Sequence, residues 1–241
     1  MLPSTSPIPF PPETGPLDAL ERFYRFHSRI YDWTRPFLLF GRRAAVRALE
    51  TGAGQLVLDV GCGTGWSLPR LAGAGAAVMG IEPSASMRRR AEGRLARRGL
   101  GGRVRLDPRP YGTHAEYEGQ VDRVLFSYSL SMIPQFMEVL EAARRDMVPG
   151  GRIVVVDFLD AALPVAAVLG ASHVHLGHAR LDALRRLFPS HEVRITSAGL
   201  WRFFLFQGSE DGRPPVAASL RHPLHSMVTP SPPGTLILVA C

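Results

Sequence analysis

No lysine occurs anywhere in the 241 residues. All 28 basic positions are arginine, set against 21 acids, for a formal net charge of +7. Arginine grips phosphate and carboxylate through a bidentate fork, so the balance suits an anionic partner. Genomic base composition alone also yields all-arginine chains, and that origin carries no functional meaning. Cysteine is nearly as scarce. Cys62 and Cys241 are the two present, too few for a disulfide framework. A basic region followed by an apolar run is missing from the N-terminus, so no signal peptide is expected. No segment reaches the ~18 apolar residues of a membrane span. The nearest, Ala161 to Ala171, is short and holds Pro164. These absences lead to the expectation of a cytoplasmic protein, soluble or peripheral at the inner membrane face. What remains is ordinary for one α/β domain with a good core: 46% hydrophobic and 20% charged residues.

The most informative stretch is Leu56 to Trp66, LVLDVGCGTGW. An apolar run with one acid, Leu56 to Val60, reads as a buried parallel strand. It feeds into Gly61-Cys62-Gly63-Thr64-Gly65, where glycines allow a sharp bend and close approach of a ligand. The free N–H groups of the following helix would face that ligand. A dinucleotide site is disfavoured, because the sixth fingerprint position is Trp66 instead of glycine. Asp59 would also repel a pyrophosphate while suiting a cationic ammonium or sulfonium. A second short strand, Ala77 to Ile81, ends in Glu82, where an acid can take both ribose hydroxyls. A cationic amino-acid head plus a ribose describes S-adenosylmethionine. VLDVGCGTG and GIEPSASM accordingly resemble the first two motifs of class I methyltransferases.

Along the chain, Met1 to Pro16 contains six prolines and is expected to be a disordered arm. A helical pattern begins at Leu17, with Tyr24, His27, Ile30 and Tyr31 on one face; Pro36 breaks it, and Phe37 to Leu49 forms a second helix. The two make an N-terminal helical lid. Further helices are expected at Met87–Gly99 and Met132–Met147, and strands at Val104–Leu106, Val121–Ser127 and Arg152–Phe158. A turn at Pro149-Gly150-Gly151 precedes the last of these. With two more strands, His191–Thr196 and Arg202–Gln207, the pattern predicts a Rossmann-like α/β fold with a seven-stranded, mostly parallel sheet. The domain would cover 17–208, leaving 209–241 as a tail of unassigned structure.

Three stretches narrow the resemblance. YRFHSRIYDWTRPFLLFGR (Tyr24 to Arg42), FSYSLSMIP (Phe126 to Pro134) and PGGRIVVVDF (Pro149 to Phe158) look like the N-methyltransferase of betaine-lipid synthesis. The resemblance implies trimethylation of diacylglyceryl homoserine, with an aminocarboxypropyl transferase as the partner that makes the substrate. It also implies that Gly61, Gly63 and Gly65 lie along the methionine and ribose part of the cofactor, with Cys62 among them and Asp59 orienting the ammonium. Glu82 would bind the ribose diol, with Pro83 and Met87 walling the adenine. Ser127 would hold the cofactor's amino-acid end. The adenine-side contact falls in Asp107 to Glu116, where Asp107, Gly112, Thr113 and His114 each qualify.

Tyr31 and Tyr128 are the candidates for the reaction centre, Tyr31 also touching the cofactor. N-methylation needs an unprotonated amine held near-attack, and aromatic faces stabilise the quaternary products. A plain core tyrosine is the alternative at Tyr31, and helix capping the alternative for Ser129 and Ser131. His173, His175 and His178 do not stack on one helix face, and no metal is expected. Arg88 to Arg98 reads as a solvated basic face or as a contact with anionic lipid headgroups. Nucleic acid is not expected as a partner, for want of a base-stacking aromatic cluster. The acceptor is then a lipid or small-molecule amine. Phosphatidylethanolamine, or a small soluble acceptor such as a quinone, is the alternative substrate. A non-catalytic S-adenosylmethionine-binding scaffold is the alternative class.

Overall fold

Central segments such as LVLDV and IVVVDFL are too apolar to leave either sheet face in water. A computed structural model describes residues 39–112, 117–171 and 173–210. Its strands are β1 (Leu56–Val60), β2 (Ala77–Ile81), β3 (Val104–Asp107), β4 (Val121–Ser127), β5 (Met147–Ala161), β6 (His191–Ser197) and β7 (Trp201–Ser209). They form one seven-stranded sheet in the order β3-β2-β1-β4-β5-β7-β6. Strands β1 to β5 run parallel, and β7 inserts antiparallel between β5 and β6.

Helices cover both faces. Those described are α1 (Arg42–Ala48), α2 (Leu68–Gly73), α3 (Ala85–Ala96), α4 (Phe136–Asp146), α5 (Leu163–Ala171) and α6 (Ala179–Leu187). Side chains alternate along each strand, and two apolar layers result. One joins Val57, Leu125 and Val156 to Ala45 of α1 and Leu49 at its C-cap, Leu71 of α2, Leu95 of α3 and Leu169 of α5. The other joins Leu58, Phe126 and Val155 to Leu140 of α4 and Leu184 of α6.

Several boundaries differ from the sequence expectation. The helix expected over Phe37–Leu49 begins only at Arg42, because Gly41 takes a left-handed φ of 80° at its N-cap. The one expected at Met132–Met147 splits: a 3₁₀ turn, Leu130–Met132, precedes Pro134, and α4 starts at Phe136. Proline cannot donate to a helical ladder, which accounts for the break. Pro149-Gly150-Gly151 is an irregularity inside the long strand β5, where the register against β4 shifts, instead of a turn ahead of it. Helix α6 was not anticipated. The expected lid over Leu17–Leu38, and with it Tyr31, lies outside the described residues, as do the arm 1–16 and the tail beyond 210.

Candidate active site

The order of strands reverses between β1 and β4, which splays the loops leaving their carboxyl ends and opens a crevice there. A cavity of about 260 Å³ fills it. The loop after β1 supplies one wall. Gly61 has φ 71°, and a Cβ there would sit 2.5 Å from the Ser129 Cβ, so only glycine fits between the two strand ends. Gly65, also at φ 71°, is pressed against α3, its missing Cβ only 2.9 Å from that of Ala91. Gly61 and Gly63 line the cavity; Gly65 and Cys62 do not. Gly65 serves helix packing, and Cys62 is buried with its sulfur toward Gly80.

Glu82 ends β2 beside the glycine loop. One carboxylate oxygen accepts the Gly63 N–H at 2.9 Å, and the other accepts the Ser84 N–H at 2.9 Å. The side chain is thereby aimed before any ligand arrives. Pro83 and Met87 continue this wall, and Ser84 caps α3 by accepting the Met87 N–H. Opposite lie Pro110, Tyr111 and Gly112, with Gln135, Glu138 and Val139 from the start of α4. Of the four adenine-side alternatives, Gly112 lines the cavity. Asp107 instead pairs with Arg109 at 2.7 Å, and Thr113 and His114 lie outside the described residues. Tyr111 was missed by sequence reasoning. Its hydroxyl donates to Asp146 at 2.8 Å, which pins the ring in the wall.

Tyr128 forms the far end. It adopts φ 59°, a left-handed conformation that side chains rarely take and that clusters at functional sites. Its ring lies 4.6 Å from that of Phe158, and its hydroxyl donates to the Phe40 carbonyl at 2.7 Å. Burial and the nearby Asp157 carboxylate push the phenol well above its ordinary range. It lines the cavity as a neutral aromatic side chain. Ser129 also lines the cavity; its hydroxyl donates to the Val60 carbonyl at 2.6 Å instead of capping the following turn.

Two expected residues sit behind the surface. Asp59 is fully buried, with one oxygen bonded to the Ser67 hydroxyl and the other, Oδ1, without a hydrogen-bond partner. Burial pushes its carboxyl up to about 6; Ser67 and the Arg42 charge pull it down, and the Glu82 charge adds to the rise. Ser127 does not line the cavity; its hydroxyl accepts Nε of Arg42 at 3.2 Å. Arg42 is a second residue missed from sequence. Its guanidinium lies 4.3 Å over the Trp66 ring and bears on Asp59 and Ser127 together, next to where an amino-acid head would sit. The resemblance stretch ending at Arg42 was the available signal.

This donor set fits S-adenosylmethionine. Glu82 presents a preoriented anion to a ribose diol, and the orphaned, buried Asp59 oxygen suits a neighbouring cation. No cluster of three or more metal-ligating side chains occurs among the described residues.

Comparison with known proteins agrees. The family model described as "Methyltransferase domain" matches residues 57–151. Demethylmenaquinone methyltransferase from Tropheryma whipplei (strain Twist) is 33% identical over 145 residues, 58% of this chain and 59% of the relative. The match thus spans under two thirds of that relative's length. The enzyme of the same name from Corynebacterium glutamicum is 30% identical over 172 residues, 69% of this chain and 67% of the relative. Among solved structures, Haemonchus contortus phosphoethanolamine N-methyltransferase 2 superposes with a TM-score of 0.69 at 15% identity, covering 83% of this chain and 62% of that one. Sheet order and superposition together define the class I methyltransferase fold. The chain belongs to the S-adenosylmethionine-dependent methyltransferases, and S-adenosylmethionine is the cofactor of that family.

Proposed function

We propose that the protein transfers methyl groups from S-adenosylmethionine to the amino headgroup of a diacylglycerol-based lipid, with diacylglyceryl homoserine as acceptor and its trimethyl betaine lipid as product. One observation carries the reading. The stretch Phe126 to Pro134, on which the resemblance to betaine-lipid N-methyltransferases partly rests, supplies Tyr128, Ser129, Met132 and Ile133 to the same cavity that Gly61, Gly63 and Glu82 line. Its position suits contact with an acceptor as well as with the cofactor.

The bound cofactor supplies a methyl group activated by a sulfonium. Glu82, Gly61 and Gly63 would hold its ribose and methionine portions, and Pro83, Met87, Tyr111 and Gly112 its base. Arg42 stands where the cofactor's carboxylate would lie. Tyr128 presents a ring face to the amine, and that face stabilises the positive charge that accumulates on nitrogen. The amine must enter unprotonated and be held in line. Its proton leaves to water: among the described residues the cavity-lining acids are Glu82, which accepts two backbone N–H groups, and Glu138. Tyr31 is proposed to complete the reaction centre from the preceding segment. An aminocarboxypropyl transferase would supply the substrate.

A second reading, methylation of a prenylated quinone, draws on the two demethylmenaquinone methyltransferase relatives. The purified protein, given labelled cofactor and detergent-dispersed diacylglyceryl homoserine, phosphatidylethanolamine or demethylmenaquinone, decides between them. Label in homoserine lipid species heavier by one to three methyls supports the first reading. Label only in the quinone, or in no lipid, overturns it.

A further inference from the structure

Helix α5 is apolar all round: LPVAAVLGA contains no charged or hydrogen-bonding side chain. Such a helix belongs in a core or a lipid phase, yet only Leu169 is buried, while Leu163 is 88% and Val168 64% exposed. The surface extends beyond the helix. The Ala162 N–H bonds the Leu200 carbonyl, Ala161 pairs with Trp201, and the Trp201 ring lies 5.9 Å from Phe40. Leu200 is 57% and Phe40 46% exposed. The patch ends at the cavity, because the Phe40 carbonyl is the group that holds Tyr128.

The charges share this side. Helices α1, α2, α3 and α5 all pack on the same sheet face. Partial burial, and then the charges of Arg43, Arg98 and Arg94 nearby, lower the pKa of the Arg70 guanidinium, so four arginines gather here. An apolar wedge beside a basic field is complementary to a bilayer bearing anionic headgroups.

We propose that this face, α5 with Leu200, Trp201 and Phe40, flanked by the arginines of α1 to α3, docks on an anionic lipid bilayer and brings the cavity mouth to the headgroup layer. The inference deepens the lipid-acceptor reading and rests on it for its purpose, but it is tested without methyl transfer.

The full chain is sedimented with vesicles of phosphatidylglycerol and phosphatidylcholine, and with phosphatidylcholine vesicles alone. Binding is expected to the mixed vesicles and to weaken with salt. Leu163→Asp with Val168→Asp should weaken it by at least about tenfold, since two buried aliphatic side chains are lost. Arg43→Gln with Arg98→Gln should weaken it about fivefold per residue. Melting temperatures should not move, because all four side chains are solvent-facing. No binding by the parent chain overturns the proposal, as does unchanged binding by the Asp variant. So does an Asp variant that melts at lower temperature or loses self-association, since either outcome assigns the face to protein. If the parent binds vesicles but methylates no lipid amine, the acceptor assignment falls and the docking surface stands. If it methylates dispersed lipid and ignores vesicles, the reverse holds.

Discussion

Replacing Glu82 by glutamine tests the cofactor site with little change of shape. The parent carboxylate accepts two backbone N–H groups, from Gly63 and Ser84, both at 2.9 Å. Glutamine offers one acceptor oxygen, so its NH₂ must face one of those donors. The cost to folding is a buried donor without a partner, about 1–3 kcal/mol. That corresponds to a fall in melting temperature of about 2–12 °C for a chain of this size. The ribose diol loses a charged acceptor at the same time. Hydrogen bonds to charged groups contribute about 1.5–3 kcal/mol, so affinity should drop about 10- to 150-fold. Calorimetric titration with S-adenosylhomocysteine reads the second quantity and a thermal melt the first. Glu82→Asp keeps the charge but shortens the reach, and should lie between the two proteins in affinity. A folded Glu82→Gln variant binding within threefold of the parent would falsify the assignment of Glu82 to the ribose.

Three further outcomes concern Tyr128 in the cavity wall and the residues packed behind it. Gly65→Ala forces a side chain into a left-handed backbone and against Ala91, so it should destabilise by about 2–5 kcal/mol in urea unfolding; a loss under 1 kcal/mol refutes the packing role. Tyr128→Phe keeps the ring and loses one hydrogen bond, about 1 kcal/mol, so methyl transfer should persist, whereas Tyr128→Ala should lose most of it; equal rates for the two would remove the aromatic wall from the mechanism. The folded Asp59 carboxyl titrates near 6, above its ordinary 3.8, because it is buried. The native chain then binds the extra proton between those values, and stability falls as pH rises through pH 4–6, by about 3 kcal/mol from this group. Asp59→Asn should flatten that part of the stability-versus-pH curve; an unchanged slope refutes it.

Legibility in the sequence followed the range of the interactions. Strand β1, the glycine loop and Glu82 were readable because backbone demands at one turn dictate local residue types. Strands β1 and β2 were readable for the same reason, as short apolar runs between turn signals, whereas β6, HEVRITS, is largely polar and exposed. Asp59 and Cys62 were named from the motif, but only the packed chain puts both behind the wall, one against Ser67 and the other against Gly80. Tyr111, fixed by Asp146, and Arg42, fixed by Ser127, depend on partners far along the chain that no local pattern reveals. Helix α6 escaped because its arginines mask its apolar face. One of them, Arg180, turns inward and donates to the Leu130 carbonyl at 2.9 Å, holding the cavity's 3₁₀ turn from behind.

The placement of β7 has a consequence for how the chain is made. Strand β5 is the longest of the sheet and is buried without a break from Ile153 to Leu159, yet its second neighbour is β7, with two helices and β6 intervening in sequence. During synthesis β5 emerges with one edge open, a template for pairing with other chains. Until Trp201 to Ser209 slides in antiparallel, the half-built sheet depends on chaperoning or on speed. A nascent chain stalled within α6 should be recovered in aggregates, and one released just past β7 should not.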